Sequence, residues 1–559
     1  MKVDFSEVNR ALFEHGFTNQ RNKKGISVYS GFLHVASKEE NVKATIIFLD
    51  RDMKKPPYIR LDSMPDWVPI VCPHISHDGL LCYLDSQRAY LPRWEFPGAV
   101  ISCIHAAEAM LDKIARGDIE RDIEDEFLAY WAGKPLLIDL PDFSKRRNFD
   151  DLGFFDIELD EQRSIQLIGV SPSYLASAYE DFVKPDRIHS TPLHFVEIDS
   201  PLGASGDNWP PKTVYDLLEW SKKISPSIQD CVRNALCDIS DPSKPQSLVL
   251  IKGTNKSCAV AIKGNIDFFL YKKYRSPEQF AQRVTRFQKL QKRFELIRFE
   301  PTPTDPESWL TRNNQDKHLG LSGKRVILLG CGSVGGYLAD ILAKMGAGQL
   351  GGELILSDDD SLQPGNLGRH ILGFADIGGK KSLGMRNRLR SMYPHIEVNV
   401  STDAEIKDRS THLVIDATGS KEVSHYINEL KVEGEISADV IFTWVAGEGI
   451  GAQAILVSDL NYACLTCLET DRPGGIHSVL KNGYETGFKE GSGGCGDFLV
   501  PFDVTAAIHA ASLAGKMVLD WSRNRPHPTL RTILLDRKNG AAVTDASPKP
   551  NRQCPICAN

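Results

Sequence analysis

The stretch Arg325-Val-Ile-Leu-Leu-Gly-Cys-Gly-Ser-Val-Gly, residues 325–335, decides how the C-terminal part of this 559-residue chain folds. Its first five residues predict a buried strand, and the glycines that follow predict a tight turn that opens directly into a helix. Gly330, Gly332 and Gly335 let the backbone approach an anion at the helix N-terminus, where free N–H groups favour negative charge. The stretch therefore predicts a phosphate-binding turn.

Strands and helices alternate after this turn. Strands are predicted at 353–357 and 412–416, with a largely helical segment at 371–392 between them. This order predicts a doubly wound, Rossmann-like parallel sheet. Asp358 follows the second strand, where a carboxylate can bind ribose hydroxyls. An NAD-dependent dehydrogenase would show the same features, and a glycine-rich turn without a ligand is the structural alternative.

Charged residues after the second and third strands separate these alternatives. The chain reads Asp358-Asp-Asp-Ser-Leu-Gln-Pro-Gly-Asn-Leu-Gly-Arg-His, then Gly378-Gly-Lys-Lys, then Ile415-Asp-Ala-Thr. These segments resemble the D-x-D…NL-x-RQ, G-x-x-K and second acidic motifs of ubiquitin-activating enzymes and of bacterial enzymes that activate sulfur carriers. Gly368, His370 and Thr418-Gly-Ser depart from the usual pattern but remove no charged group.

The resemblance implies ATP and Mg²⁺ as cofactors and gives each motif residue a role. Asp360 would bind ribose, Asp358 would support the loop, Asn366 would orient the phosphates, Arg369 and Lys381 would neutralise the triphosphate, and Asp416 would hold Mg²⁺. Attack of a carboxylate on the α-phosphate independently requires cations and a metal near the developing charge. Such domains pair as homodimers, and Arg312 is a candidate for the arginine supplied to the partner.

Two CxxC pairs predict a zinc site. Cys464-Leu-Thr-Cys467 and Cys554-Pro-Ile-Cys557 supply the four thiolates of a tetrahedral Zn²⁺. The wide gap between the pairs excludes a local zinc ribbon but agrees with the bacterial activating enzymes. Reduced surface cysteines and a redox pair are the alternatives.

Cys495 lies in the glycine-rich segment Gly491-Ser-Gly-Gly-Cys-Gly, before a predicted helix from about 504 to 521. In the resembled family, a mobile loop at this place carries the cysteine that takes the acyl group from the adenylate. A thiolate near a helix N-terminus also has a lowered pKa and is a better nucleophile at neutral pH. A structural loop cysteine is the alternative.

Residues 1–145 predict a different α+β domain. A helix at 5–16 precedes strand-like segments at 26–29, 31–35, 44–49 and 58–61, and helices follow at 95–116 and 118–132. Pro73-His-Ile-Ser-His-Asp-Gly-Leu-Leu-Cys-Tyr-Leu-Asp resembles the active-site segment of ubiquitin-conjugating enzymes. The resemblance implies that Cys82 forms a thioester. His74 stands where the family usually has asparagine, so His74 or another group would stabilise the oxyanion; a core cysteine is the alternative.

The rest of the chain carries less information. Residues 146–310 show no catalytic motif and are expected to form a connecting domain, with a helix at 277–293 and a Pro-rich linker or boundary at 301–306. A net charge of −7 without a long basic run disfavours nucleic-acid binding. The N-terminal residues show no apolar segment typical of a signal peptide, and no apolar run is long enough to predict a membrane span. We therefore expect the twelve cysteines to be in the reducing cytoplasm.

An activating-type (E1-like) module at 311–559 behind a conjugating-type (E2-like) module resembles the bacterial E1–E2 fusions of antiphage operons, most of all the CD-NTase-associated (CBASS) fusion. The resemblance implies adenylation of a protein C-terminus, of a CD-NTase or a ubiquitin-like protein. The acyl group would then pass to Cys495, to Cys82 and to an amine, for which lysine is expected. A sulfur-carrier adenylyltransferase, an NAD-dependent oxidoreductase and a non-catalytic interaction protein remain as alternatives.

Overall fold

The structure of the chain is a computed structural model. The structure describes residues 5–558 except 24–25, 50–54, 70–71, 77, 85–91, 93, 120–121, 123–125, 141–151, 159–162, 172–174, 176–178, 180–187, 205–208, 240–245, 265–275, 314–316, 402–404, 470–476, 482–483, 488 and 491–497. No helix in these described ranges is long and apolar enough to cross a bilayer. Cys495 lies outside them.

The N-terminal unit packs two helices against a five-stranded antiparallel sheet. Its elements are α1 (Phe5–Glu14), β1 (Thr18–Lys23), β2 (Ile26–Val35), β3 (Glu40–Phe48), β4 (Tyr58–Leu61), β5 (Leu80–Leu81) and α2 (Phe96–Ala115). Alternate residues of β2 face a core that α1 and α2 share with the sheet. The predicted α+β domain is therefore confirmed, although β2 is one strand where the sequence predicted two, and β1 was not predicted.

The middle unit is built on an eight-stranded mixed sheet in the order β10-β11-β12-β13-β6-β8-β7-β9. Its elements are α3 (Phe127–Trp131), β6 (Lys134–Ile138), β7 (Gly153–Glu158), β8 (Ser164–Gly169), β9 (Ile188–Thr191), β10 (Leu193–Glu197), α4 (Val214–Ile224), α5 (Ser227–Ile239), β11 (Gln246–Lys252), β12 (Ser257–Lys263), α6 (Pro277–Arg286), α7 (Gln288–Gln291), β13 (Glu295–Pro303) and α8 (Pro306–Arg312). The domain boundary after residue 145 remains a prediction, and the packing of α3 and β6 in this unit favours an earlier one.

The Pro-rich run at 301–306 is not a linker, contrary to the sequence prediction. Pro301 and Pro303 lie in β13 and pair in parallel with Leu136 and Ile138 of β6. On the other side, pairing with β12 ends at Phe299, so the missing N–H groups of the prolines face no strand there.

The C-terminal unit is a seven-stranded sheet in the order β16-β15-β14-β17-β18-β19-β22, and its first five strands are parallel. Its elements are β14 (Arg325–Leu329), α9 (Ser333–Lys344), β15 (Glu353–Ser357), α10 (Lys381–Arg390), β16 (Val398–Val400), β17 (Leu413–Asp416), α11 (Lys421–Val432), β18 (Asp439–Ala446), β19 (Gly451–Val457), β20 (Lys489–Glu490), β21 (Phe498–Leu499), α12 (Val504–Ser522) and β22 (Leu530–Leu534). The predicted doubly wound sheet is confirmed. The helix predicted over 371–392 is wrong in its first half, where one 3₁₀ turn (Phe374–Asp376) and irregular backbone precede α10.

Candidate functional site

The glycine-rich turn between β14 and α9 can be built only with glycine at two positions. Gly330 has φ +83°, and a Cβ placed there would lie 2.8 Å from the backbone of Thr418. A Cβ on Gly335 would lie 1.8 Å from the carbonyl oxygen of Gly330. A Cβ on Gly332 would meet no atom within 4 Å, so the helix N-terminus opens onto free space. This free space allows an anion to approach the N–H groups of α9.

Asp358 and Asp360 follow β15, beside the turn. The Asp358 carboxylate accepts the Cys331 N–H at 2.6 Å and the Asp360 N–H at 2.8 Å, and thereby joins the turn to the loop after β15. The Asp360 side chain is 76% exposed, but Lys381 Nζ donates to its Oδ2 at 2.7 Å. Lys381 itself is 11% exposed, so its ammonium group is held at the edge of the site.

Arg369 lies on the other side of the turn. Its Nε donates to Ser333 Oγ at 3.0 Å, and its guanidinium carbon lies over the ring of Phe502, 5.0 Å from the centroid. A cation is therefore held next to the N-terminus of α9. Asn366 accepts the Gln363 N–H at 2.9 Å and stabilises the 3₁₀ turn that leads to Arg369.

His370, which replaces the glutamine common in the resembled family, is buried under the turn. Its Nε2 lies 2.7 Å from the carbonyl oxygen of Cys331, and its Nδ1 accepts the Leu372 N–H at 3.0 Å. These partners require a proton on Nε2 and none on Nδ1. Burial lowers the pKa of His370, so the ring stays neutral at physiological pH. The substitution therefore preserves one donor and one acceptor.

Asp416 ends β17 and is 2% exposed. Its Oδ1 accepts the N–H and the hydroxyl of Thr418 at 2.9 and 2.7 Å, and its Oδ2 accepts the hydroxyl of Ser424. Burial raises the pKa of this carboxyl above its ordinary value. Oδ2 retains a lone pair, and a nearby cation would offset the cost of burying the charge.

The parallel register explains why these groups meet. Leu329 at the end of β14 is paired with both Ser357 of β15 and Asp416 of β17, so the three strands end at one edge of the sheet. Ligands bind at this carboxyl edge in doubly wound folds. The edge combines an anion-binding helix end, two cationic side chains and a buried carboxylate. This arrangement is suited to binding a nucleoside triphosphate.

The four cysteines of the two CxxC pairs converge, because their Sγ atoms all lie within 4.8 Å of one another. Cys464 Sγ is 3.7 Å from the Sγ atoms of Cys467 and Cys554, and Cys467 Sγ is 3.2 Å from that of Cys557. A tetrahedron with Zn–S bonds of about 2.3 Å has sulfur–sulfur edges of about 3.8 Å. The thiolate set and its spacing therefore fit Zn²⁺.

Of the two predicted acyl-carrying cysteines, only Cys82 belongs to the part of the chain that the structure describes. Cys82 directly follows β5 in the N-terminal unit and is exposed, whereas Cys72 and Cys103 are buried. Burial raises the pKa of Cys72 to about 12 and that of Cys103 to about 11, so both are poor nucleophiles. Cys495 belongs to the segment outside the described residues, between the paired strands β20 and β21.

Three contributors to the site were not predicted from the sequence. Ser333 lies within the quoted glycine turn, so the motif already contained it. Ser424 and Phe502 are supplied by α11 and by the residues before α12, and each reaches the site only through the tertiary fold. No local pattern in the sequence marks either of them.

Comparison with known proteins identifies both terminal units. Residues 310–556 match the ThiF family, and residues 7–135 match the Prokaryotic E2 family B. The chain is therefore an E1–E2 fusion, an E1/E2-like transferase in which a ThiF-family domain follows a prokaryotic E2 domain.

Three similar proteins extend over nearly the whole chain, and all are called ATP-dependent ubiquitin transferase-like protein Cap2. The protein from Pseudomonas aeruginosa is 27% identical over 90% of this chain and 89% of its own. The protein from Escherichia coli is 24% identical over 92% and 90%, and the one from Vibrio cholerae is 24% identical over 86% and 85%. The similarity therefore includes the middle unit.

Proposed function

We propose that this chain uses ATP to activate the C-terminal carboxylate of a protein, carries the acyl group as a thioester and transfers it to an amine. The observation that carries the proposal is that one chain combines the cationic edge around Lys381 and Arg369 with an exposed Cys82 on an E2-type scaffold. The names of the three similar proteins support ATP-dependent ubiquitin-like conjugation as the class of reaction.

In the first step, a carboxylate oxygen of the donor protein attacks the α-phosphorus of ATP, and pyrophosphate leaves. The N-terminus of α9, Arg369 and Lys381 would stabilise the negative charge that develops on the phosphates. Asn366 would orient the phosphates. Asp360 would bind the ribose. Asp358 would support the loop that carries Asp360, because it accepts the Asp360 N–H.

Asp416 would hold Mg²⁺ at this edge. The fit rests on its buried carboxylate, whose raised pKa reflects an uncompensated charge that a divalent cation would offset. When bound, the ion would neutralise phosphate charge. Ser424 and Thr418 orient the carboxylate by hydrogen bonds.

Two thiols would then carry the acyl group. The thiolate of Cys495 attacks the acyl carbon of the adenylate, and AMP leaves. The thiolate of Cys82 attacks the resulting thioester and releases Cys495. An amine, expected to be that of a lysine, attacks the Cys82 thioester, loses a proton and releases the thiolate.

The donor, the assembly and the zinc site are finer parts of the proposal. The resemblance to CD-NTase-associated fusions favours a CD-NTase or a ubiquitin-like protein as donor, in the cytoplasm and in antiphage defence. A homodimer is expected, to which the exposed Arg312 at the end of α8 would contribute. The four cysteines would hold a structural Zn²⁺ through Cys464, Cys467, Cys554 and Cys557.

Trapping of the donor protein tests the relay. Cys82→Ser and Cys495→Ser variants are incubated with ATP and a CD-NTase as the donor protein, then separated without reductant. We expect Cys82→Ser to accumulate adduct at Cys495, and Cys495→Ser to give none at Cys82. A thioester at Cys82 without Cys495 would contradict the order of transfer.

The sulfur-carrier adenylyltransferase remains the second candidate, because the adenylation edge alone would serve it equally well. Such an enzyme has no use for Cys82, so Cys82→Ala would leave its product formation unchanged. An NAD-dependent oxidoreductase would show no exchange of pyrophosphate into ATP.

A further inference from the structure

Helix α3 (Phe127–Trp131) joins the N-terminal and middle units. Phe127 and Trp131 are fully buried, and their rings pack against those of Trp209 and Trp220 of the middle unit at centroid distances between 5.4 and 6.4 Å. Together these rings form one aromatic cluster in the core of the middle unit. One face of α3 is therefore fixed by the middle unit.

Hydrogen bonds from β13 strengthen this attachment. Trp131 Nε1 donates to the carbonyl oxygen of Phe299 at 3.0 Å. The guanidinium of Arg298 donates through Nε to the carbonyl oxygen of Trp131 at 2.8 Å and through Nη1 to that of Pro211 at 2.9 Å. The C-terminal end of α3 is thus tied to a central strand of the eight-stranded sheet.

Another residue of α3, Tyr130, contacts the segment that leads to Cys82. The Tyr130 hydroxyl accepts the backbone N–H of His74 at 3.0 Å and donates to Glu126 Oε2 at 3.0 Å. The imidazole of His74 lies between two carboxylates, with Nε2 3.2 Å from Asp122 Oδ2 and Nδ1 3.7 Å from Glu126 Oε1. His74, Tyr130, Asp122 and Glu126 together form a polar cluster that we call the clamp. The His74 side chain at its centre is 15% exposed and therefore largely shielded from solvent.

The clamp reaches Cys82 through the backbone. The carbonyl oxygen of His74 accepts the Cys82 N–H at 2.7 Å. His74 has φ +68°, a left-handed conformation that a non-glycine residue keeps only where its surroundings impose it. Tyr130 and Asp122 hold the N–H and the ring of His74 on one side. The Cys82 N–H holds its carbonyl oxygen on the other.

We propose that the middle domain positions Cys82, through α3, Tyr130 and His74, for acyl transfer. Tyr130 and His74 are positioning residues, since they act on Cys82 through the backbone. The inference rests on the proposed function only where it gives Cys82 the acyl group. It assigns a role to the unit between the two terminal domains, because a reactive thiol on a loop gains precision from a rigid support.

The clamp is tested first on the full chain without any donor. Tyr130→Phe removes the acceptor of the His74 N–H but keeps the ring, and Arg298→Gln weakens the attachment of α3 from within the middle unit. Loss of one hydrogen bond corresponds to about a fivefold change. In both variants we expect hydrogen exchange in the peptide covering 72–83 to be about fivefold faster, and alkylation of Cys82 by iodoacetamide to accelerate similarly.

Two matched controls separate positioning from general destabilisation. Tyr29→Phe loses a hydroxyl that donates to Asn9 in the same N-terminal unit, and Glu197→Gln loses a partner of Lys252 on the same middle sheet. Both controls should exchange and alkylate at 72–83 like the unchanged protein. ATP–pyrophosphate exchange, measured separately with a donor protein present, should stay unchanged in all four variants. Unaltered exchange at 72–83 in Arg298→Gln would overturn the role of the middle domain.

Turnover gives the final test. With free lysine as acceptor, Tyr130→Phe should discharge the Cys82 thioester about fivefold more slowly at saturating lysine, with an unchanged KM for lysine. An unchanged maximal rate would overturn the inference even if the clamp had loosened. Absence of any Cys82 thioester in the unchanged protein would instead overturn the proposed relay, while the exchange and alkylation results would still decide whether the middle domain holds the segment.

Discussion

Lys380 and Lys381 are adjacent in sequence but lie in different surroundings, which makes them a matched pair for testing the adenylation edge. Lys381 is buried beside Asp360, whereas Lys380 is exposed and donates to the carbonyl oxygen of Asp359. Loss of a charge that stabilises a transition state costs about 100-fold in rate. We expect Lys381→Met to lower ATP–pyrophosphate exchange by about that factor and Lys380→Met to have an effect below about twofold. Equal losses in both variants would contradict the assigned role.

His370 predicts a pH dependence of stability at the same turn. Burial holds its pKa below the ordinary value of 6.5, so the unfolded chain binds a proton more readily than the folded chain. This contribution to stability is complete above pH 6.5 and is lost as the pH falls towards the folded pKa. Urea unfolding at several pH values should show that the free energy of unfolding declines less in His370→Gln than in the unchanged protein. Identical slopes would show that the ring is not protected from protonation.

The segment that carries Cys554 and Cys557 depends on the cysteine cluster for its attachment to the rest of the C-terminal unit. Cys554 and Cys557 lie against Cys464 and Cys467, which follow β19, so a bound zinc would join distant parts of the unit. We expect Cys554→Ser to lose bound zinc, measured by elemental analysis, and to melt about 5 °C or more below the unchanged protein. Cys237→Ser, which changes a half-buried cysteine of the middle unit, should keep its bound zinc and its melting temperature. Retention of zinc by Cys554→Ser would exclude this site.

Elements with strong local signals could be predicted from the sequence. β14 and the turn at Gly330 combine an apolar run with glycines that only one backbone geometry satisfies, so the doubly wound sheet follows from a few residues. Asp416 was likewise assigned to the end of a strand next to the turn. The convergence of the four cysteines could also be anticipated, because spacing alone suggests shared ligation.

Other elements depend on contacts that no local pattern encodes. Pro301 and Pro303 predict a break, but β6 pairs with them from a segment more than 160 residues earlier in the chain, and that pairing makes them part of a strand. The middle sheet as a whole joins strands that are distant in sequence. Phe502 and Ser424 reach the nucleotide edge by the same kind of long-range packing. The role of such segments becomes visible only in three dimensions.

On the scale of the whole molecule, the middle domain contacts both terminal units. α3 connects it to the segment that carries Cys82, and Asp139 connects it to the ThiF-family domain. Asp139 directly follows β6 and is 2% exposed, and its Oδ2 lies 2.6 Å from Nε2 of His395. The Tyr179 ring, also from the middle unit, packs nearly perpendicular to the same imidazole, with the ring centroids 5.9 Å apart.

The Asp139–His395 pair therefore predicts how the units separate. Removing one partner of a buried pair leaves a buried charge without compensation and costs about 3 kcal/mol. We expect His395→Ala to increase the rate of proteolysis between the middle and ThiF-family domains about 100-fold, because local opening follows that cost. Asp139→Asn combined with His395→Ala should recover much of the loss, since no buried charge remains. His194→Ala, which breaks a His–Asp pair with Asp238 inside the middle unit, should not change cleavage at this junction. If His194→Ala accelerates cleavage at this junction as strongly as His395→Ala does, the contact between the domains has no special role.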